Sequence, residues 1–442
     1  MVPPDFDDAV LERLFPLPTL SGITTGPDVT LSAEITPEST TELRRLMVES
    51  HKRFHGFFVP KGHESHHYHN HILHHLLATY VLGATPQVLQ AKFDYHAQFL
   101  QAAYKSPGPI TRSNWRDHLG DEDYYNAYIN FFTAEIQARG LSETFTSYIM
   151  VPEGNWGEGE PRMVDRFLTG IIHPLIHFGH ALEYGIEGMA VEGLAWTAVH
   201  PTENQNLLNE EFFTAPQPKE HTHTLTILAR MLADERLEPG RTCARSSHFK
   251  YTDTVESVGP IIRDYARLWR VKGDEQEIQE RVEELTWCVT IIFGLGGFKH
   301  GKQFRADTFT AHLVTSNHFL QLILPLLNTA HKVELLRAYF VVVLIYYACR
   351  GRQRFDFYNF FQPPVATPWN DLLAGSVSQQ DEHFVQAERA LARSAELYGH
   401  RPKGTFKHTK LLGAEEIDGS LFVKTGKMLS EVSRFGMAWR RA

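Results

Sequence analysis

Apolar residues recur at three- and four-residue spacing along most of this 442-residue chain, which is the period of an amphipathic α-helix. An amphipathic stretch runs from Pro37 to about Arg53, and the apolar run from His71 to Leu82 ends at Gly83. Thr85 and Pro86 then supply an N-cap and a first helical turn. The same spacing predicts further helices at 121–139, 161–187, 221–235, 252–270, 274–293, 307–327, 331–350 and 380–398.

Alternating apolar and polar residues never extend far, so few β-strands are expected. Proline and glycine cluster at 107–109, 152–161, 214–218 and 362–368, which indicates loops. The chain contains neither an internal repeat nor a linker rich in Gly, Ser or Pro. The pattern therefore predicts an all-α fold, with a single large multi-helical domain spanning residues 1–442.

Composition narrows the class of protein. Hydrophobic residues make up 43% of the chain, which is enough for a large core, and the net charge of -9 gives no basic surface for nucleic acid. The most apolar run, residues 340–348, is far shorter than the roughly 20 residues of a membrane span. The acidic N-terminus lacks an apolar segment, so no secretory signal is expected, and three isolated cysteines suit a reducing compartment. These features predict a cytoplasmic protein and leave the oligomeric state open.

Histidine is unusually abundant, with 25 residues, and the first cluster spans residues 66–75. Histidine is the commonest metal ligand and a common proton shuttle. On a helix over 71–82, His71, His74 and His75 share one face, where two imidazoles can bind one metal ion. For His71, a metal ligand and a hydrogen-bonded residue stay open as alternatives. Three other histidines are interpreted as polar, partly exposed residues at the helix start: His66, His67 and His69.

The second cluster places His173, His177 and His180 at i, i+4 and i+7, which is one stripe of a helix. Apolar residues surround this stripe, and three histidines in an apolar segment are costly unless they bind something. Pro174 disfavours helix at the preceding residue, so either the helix kinks or His173 caps a new helix. The stripe is the strongest candidate for metal ligands, and a hydrogen-bonded core cluster is the alternative.

Other candidates lie outside the clusters. His312 lies in the apolar run 309–314, where a single histidine is more often a core residue. It is retained as a ligand because the two clusters need partners. Glu183 could orient a ligating imidazole, or it is a surface carboxylate. His221 and His223 are interpreted as ordinary polar residues at a helix start.

Motifs for common cofactors are missing. Residues 294–297 weakly resemble a dinucleotide-binding turn, but the third glycine is misplaced and no βαβ unit is predicted. The chain has no phosphate-binding loop, no GxSxG elbow and no CxxC pair. No flavin is therefore expected.

Several segments resemble the questin oxidase-like family, which is linked to oxidative steps on polyketide anthraquinones and xanthones. They are Asn70–Ala78 with Leu82–Ala84, Gly170–Gly179, His312–Ser316, and Leu335–Tyr339 with Arg350–Arg352. The segments follow the family's order over a core of about residues 70–352. The resemblance implies a largely helical enzyme that uses O₂.

The same resemblance implies a ligand set. Some family members are non-haem iron dioxygenases that use several histidines and a modified lysine, and others are NADPH-dependent Baeyer–Villiger-type oxidases. Matching the motifs carries ligand roles over to His71, His173 and His312, with His177 and His180 matched in part of the family. Where lysine is expected in some members, this chain has Tyr339, so a carboxylated lysine is expected to be absent and Tyr339 becomes a supporting residue. Fe(II) is the expected cofactor, and NADPH remains an alternative.

The resulting prediction is an Fe(II)-dependent oxygenase that oxygenates or cleaves a ring of an aromatic polyketide such as an anthraquinone. The predicted ligands are His71, His173, His177, His180 and His312, with weaker candidates in His74 and His75. One alternative is a cofactor-free or NADPH-dependent Baeyer–Villiger-type oxidase whose histidines act as general bases. Another is a non-catalytic binding protein for aromatic metabolites.

Overall fold

Helix dominates the computed structural model, which describes residues 7–19, 35–59, 68–204, 206–238, 250–362, 364–365 and 367–434. These residues form 19 α-helices and one small sheet, which confirms the all-α prediction. In the sheet, β1 (Phe57–Phe58) pairs antiparallel with β2 (Tyr68–His69), and His69 lies opposite Phe57. His66 and His67 lie outside the described residues.

The chain divides into two compact units, Met1–Thr202 with Leu373–Gln386, and Glu203–Leu372 with Ala387–Ala442. The expectation of one domain over the whole chain stays a prediction. The helices of the first unit are α1 (Asp8–Leu14), α2 (Pro37–Arg53), α3 (Ile72–Tyr80), α4 (Pro86–Ala97), α5 (Tyr125–Arg139), α6 (Leu141–Phe145), α7 (Met163–Phe167), α8 (His173–Tyr184) and α9 (Glu187–Val199).

The second unit contains the longest helices. They are α10 (Glu210–Thr214), α11 (Thr224–Ala233), α12 (Lys250–Arg267), α13 (Glu275–Gly297), α14 (Thr308–Ile323), α15 (Thr329–Cys349) and α16 (Phe357–Phe361). Next come α17 (Trp369–Ser376) and α18 (Glu382–Tyr398), each with residues in both units, and then α19 (Ser420–Arg434). Short 3₁₀ or π segments lie at Glu122–Tyr124, Thr146–Met150, Pro152–Gly154, Glu235–Leu237, Leu324–Leu326 and Ala414–Glu416.

The single helix predicted over 161–187 is wrong, because a turn separates α7 from α8. Gly170, Ile171 and Ile172 have φ of +55°, +57° and +63°. Left-handed backbone costs a residue with a side chain roughly 1–2 kcal/mol, so surrounding contacts must hold this turn. Pro174 lies in the first turn of α8, where its missing N–H leaves no hydrogen bond unmade. The turn separates the end of α7 from the start of α8 and sets the direction in which α8 begins.

The helix α9 was not predicted, although it packs along α8. Its residues from Gly188 to Val199 are all buried, so no polar stripe marks it as amphipathic. A Cβ on Gly193 would lie 3.0 Å from the backbone nitrogen of Phe178, so glycine lets the two helices approach closely. This contact places Glu192, buried in an apolar helix, against the histidines of α8.

The most apolar segment lies in α15, where residues 335–349 are all buried. It belongs to the core of the second unit. Among the described residues, no helix has the length and apolar character needed to cross a membrane.

Candidate metal centre and histidine network

The two histidine clusters of the sequence meet in the first unit. His71 is the residue directly before α3, and His173 is the first residue of α8. Their Nε2 atoms lie 2.7 Å apart, and the ring of His69 stacks on that of His173 with centroids 4.0 Å apart. Two histidines separated by about a hundred residues in the sequence thus face each other.

Backbone carbonyls set the protonation of both rings. His71 Nδ1 lies 2.7 Å from the carbonyl oxygen of His69, and His173 Nδ1 lies 2.5 Å from that of Gly170. A carbonyl only accepts, so each Nδ1 carries the proton and each neutral ring has its lone pair on Nε2. Two lone pairs at this distance repel unless a cation lies between them. Metal-bound histidines are commonly oriented in this way, so the pair fits a metal ion.

A third histidine completes a possible ligand set. Ligand atoms of His71, His173 and His383 all lie within 4.8 Å of one another. Neighbouring nitrogens around one metal lie roughly 3 Å apart, so small side-chain shifts bring the three into range. His383 was not among the predicted ligands. Its only signal in the sequence is the preceding acidic pair, Asp381 and Glu382, at the start of a predicted helix.

Burial keeps the imidazole of His71 neutral, which is the form that binds metal. Burial, together with the nearby His383, lowers the pKa of His71 to about 3. Carboxylates balance the charge of a bound cation. Asp381 Oδ1 lies 2.8 Å from His383 Nδ1, and Glu382 Oε1 lies 3.6 Å from His71 Nδ1.

A second chain of contacts runs through the helices α2, α3, α8 and α9. His51 Nδ1 and His177 Nε2 lie 2.6 and 2.9 Å from the two carboxylate oxygens of Glu192. His177 Nδ1 lies 3.0 Å from His74 Nε2. Burial acts most strongly on Glu192 and raises its pKa, but the hydrogen bonds from His177 and His51 together outweigh burial and lower the pKa to about 2. Both ring nitrogens of His177 are thus engaged, which favours the hydrogen-bonded alternative for this residue.

The remaining candidates of the first unit lie around this chain. His180 is buried, its Nδ1 lies 2.9 Å from the carbonyl oxygen of Ile176, and its ring stacks on His74 with centroids 4.7 Å apart. His74 Nδ1 is buried without a hydrogen-bond partner among the described residues. Glu183 is completely buried, so it is not a surface carboxylate. The predicted roles of His180 and Glu183 at a metal stay predictions.

His69 departs from its predicted exposure. It is only 5% exposed, and its Nε2 lies 2.6 Å from His200 Nε2. The reason is the pairing of β2 with β1, which turns this side chain inward beside Phe57. A two-residue strand is too short for alternation to reveal it.

The second unit holds His312 in α14, where it is 4% exposed. Its Nδ1 lies 2.6 Å from the carbonyl oxygen of Thr308, so its neutral ring also carries the lone pair on Nε2. The Tyr339 hydroxyl donates to the carbonyl oxygen of Leu313 at 3.0 Å and lies 2.8 Å from Ser316 Oγ, which fixes α15 against α14. The roles of His312 as a ligand and of Tyr339 as its support stay predictions.

His221 and His223 lie at the start of α11, the helix start at which they were predicted. His221 Nε2 lies 2.9 Å from a carboxylate oxygen of Glu284, and His223 Nδ1 accepts from the backbone N–H of Leu225 at the start of α11. The hydrogen bond of His221 connects the segment before α11 to α13, and that of His223 caps α11.

Comparison with known proteins places the chain among oxidative enzymes. The family model described as questin oxidase-like matches residues 68–391, which contain nearly all of the histidine network. The chain belongs to the questin oxidase-like family.

Curated relatives of this family member carry oxidative names. The chain is 27% identical to the oxidoreductase AflY of Aspergillus parasiticus, over 83% of this chain and 74% of the relative. It is 25% identical to a questin oxidase of Aspergillus fumigatus, over 92% of this chain and 91% of the relative. It is 24% identical to the Baeyer–Villiger monooxygenase dmxR6 of a Cryptosporiopsis species, over 91% of this chain and 90% of the relative. As a member of this family, the protein is an oxidoreductase.

The turn before α8 gives a first test of the site. An alanine Cβ at Gly170 would lie 2.5 Å from His200 Cε1 and 3.0 Å from His69 Cε1, at a φ of +55°. Gly170→Ala is therefore expected to lower the free energy of unfolding by about 2 kcal/mol or more, measured by urea titration. Gly301→Ala is the control, because Gly301 has a φ of +68° with open space around it. Equal losses in the two variants would contradict a crowded turn.

Because it buries neutral histidines, the metal-free protein is expected to become less stable in acid. The pKa of His71 falls from 6.5 to about 3 through burial, and burial also lowers those of His74 and His75. Below pH 6.5 the unfolded chain binds protons that the folded chain does not. The free energy of unfolding should thus decrease as the pH is lowered below 6.5, by about 1.4 kcal/mol per pH unit for His71 alone. Urea midpoints at pH 7.5 and 5.5 measure this, and a constant midpoint would contradict it.

Proposed function

We propose that this questin oxidase-like protein is an Fe(II)-dependent oxygenase that uses O₂ to oxygenate or cleave a ring of an aromatic polyketide such as an anthraquinone. The observation that carries the proposal is the pair of Nε2 lone pairs on His71 and His173, 2.7 Å apart. The relatives named questin oxidase and Baeyer–Villiger oxidase support a ring oxidation.

The chain's own residues prepare the centre. His71, His173 and His383 would hold the ion, and backbone carbonyls keep two of these rings in the binding tautomer. Imidazole-rich sites also accept copper, zinc and nickel, so the choice of iron follows the family resemblance. When bound, Fe(II) supplies the one-electron chemistry that lets O₂ react with a closed-shell aromatic molecule. His173 is 4% exposed, and the side chains of His71 and His383 are 11% and 18% exposed, so little water reaches the three rings.

Proton transfer is assigned to the series of hydrogen bonds that runs from Glu192 through His177 to His74. The ionised Glu192 accepts from His177 Nε2, which makes His177 Nδ1 a better acceptor toward His74 Nε2. With Nε2 as the donor, the buried Nδ1 of His74 has a lone pair that can accept the proton of a substrate phenol. Glu192 and His51 act as positioning residues, since they reach the reaction only through His177.

A metal-free Baeyer–Villiger-type oxidation is the second candidate. Several relatives carry this name, and a histidine that accepts a phenol proton would serve such a reaction equally well. The two candidates differ in their need for metal.

Elemental analysis and O₂ uptake test the proposal together. Protein purified without a histidine tag is expected to contain about one iron per chain, following the donor set of a mononuclear site. Chelation should abolish O₂ uptake with an anthraquinone, and Fe(II) should restore it, with and without NADPH in parallel. Full activity of the chelated, iron-free protein would reject the iron proposal in favour of the metal-free reaction.

A further inference from the structure

A second group of ligand atoms includes Glu382, whose Oε1 lies near His71 and whose Oε2 lies near His96. His75 of α3, His96 in the last turn of α4, and Glu382 at the start of α18 offer ligand atoms within 4.8 Å of one another. His75 Nδ1 and His96 Nε2 lie 2.9 Å apart. Neither histidine belongs to the set of His71, His173 and His383.

A backbone carbonyl orients His75, as it does His71 and His173, but His75 is the opposite tautomer, with its lone pair on Nδ1 instead of Nε2. Its Nε2 lies 3.1 Å from the carbonyl oxygen of Gln379, so this nitrogen donates and the neutral ring has its lone pair on Nδ1. The lone pair points at His96, whose side chain is 11% exposed. Metal-binding histidines typically donate their other N–H to a backbone carbonyl, as His75 does.

The local charge favours a cation. Glu382 Oε2 lies 3.9 Å from His96 Nε2, and the carboxylate of Asp381 lies within 4.8 Å of that of Glu382. One ammonium opposes them, because Lys92 Nζ donates to the same carbonyl oxygen of Gln379. Two carboxylates against one ammonium leave one negative charge at this place when the histidines are neutral.

We propose a second metal site, in which His75 Nδ1, His96 Nε2 and a carboxylate oxygen of Glu382 bind a divalent ion of the zinc type. Two imidazoles and one carboxylate form a known zinc ligand set that leaves a position for water or another ligand. Without metal, His96 donates one hydrogen bond to His75, and metal binding replaces it with two nitrogen–metal bonds. The partly exposed His96 gives the ion access from solvent.

Zinc titration of tag-free, chelator-treated protein separates this site from the proposed iron centre. His173→Gln is expected to keep one zinc equivalent by calorimetry, and the double variant His173→Gln/His96→Gln is expected to lose it. A His173→Gln protein without zinc binding, or a double variant that keeps its zinc, would overturn the proposal. If the iron centre is the part that fails, the wild type itself binds a single equivalent that depends on His96 and not on His173.

A ligand exchange gives an independent signature. His96→Cys supplies a thiolate in place of the imidazole, and Co²⁺ is expected to produce a thiolate charge-transfer band in the near ultraviolet. Asp94→Asn is the matched control, since this exposed carboxylate on the same helix bonds only Gln90 among the described residues. Thermal melting confirms folding of each variant. A folded His96→Cys protein without the Co²⁺ band would overturn the proposal.

Discussion

Replacing His173 by glutamine is expected to remove iron from the protein and to lower kcat/KM for the aromatic substrate by roughly 100-fold or more. Loss of a mere hydrogen-bond partner of a ligand costs 10–100-fold, and His173 is a proposed ligand itself. The glutamine side chain fills similar space but cannot present a ring nitrogen opposite His71 Nε2. Iron content and O₂ uptake, measured on the same sample, check the result.

The matched control is His118→Gln. His118 lies in the same unit, its ring stacks on Tyr124 with centroids 3.6 Å apart, and it is not a member of the proposed ligand set. This variant is expected to keep both iron and activity. If His173→Gln retained its iron and its kcat/KM, the pair of His71 and His173 would be a hydrogen-bonded core contact, and the metal centre would be disproved.

The second large effect is expected for Glu192→Gln, which should lower the free energy of unfolding by about 3 kcal/mol, near the lower end of the cost of breaking a buried ion pair. The carboxylate accepts from both His51 and His177, whereas an amide offers one oxygen and one N–H₂ group. One imidazole N–H would then face a donor. Urea titration at neutral pH measures the loss.

A pH series strengthens this test, because the pKa of Glu192 is lowered from 4.5 to about 2. The carboxylate stabilises the folded protein fully above pH 4.5, and this contribution is lost as the pH falls toward 2. Glu187→Gln on the same helix is the control. Its ion pair with Arg13 is about one-third exposed, so the expected loss is under about 1 kcal/mol. Equal losses in the two variants would refute a special role for Glu192.

The helical character of the segments that contain His71 and His173 followed from local pattern, although the turn that begins α8 did not. In α3 and α8, histidines three or four residues apart fall on one face whatever the rest of the fold does. The helix α9 could not be predicted in this way, because its burial on all sides removes the polar stripe that marks a helix in sequence. Gly188 and Gly193 also lower the helix propensity of the segment. Glycine is required there because a Cβ would collide with Phe15 at Gly188 and crowd Phe178 at Gly193.

Partners joined over long sequence distances were also missed. His383 lies more than 200 residues from His173, and His51 lies 141 residues from Glu192. No spacing rule links such positions, since tertiary packing alone brings them together. The sequence could therefore indicate that histidines of two clusters do chemistry, but it could not show that Glu192 and Glu382 lie among them.

The tautomers of His71, His173 and His312 depend on main-chain oxygens, at His69, Gly170 and Thr308 respectively. A carbonyl oxygen belongs to the peptide bond, so no side-chain substitution at those three positions can delete it. The orientation of these imidazoles is thus robust to mutation as long as the chain follows the same path. Drift in the surrounding side chains can alter what the enzyme accepts as a substrate while these rings keep their aim.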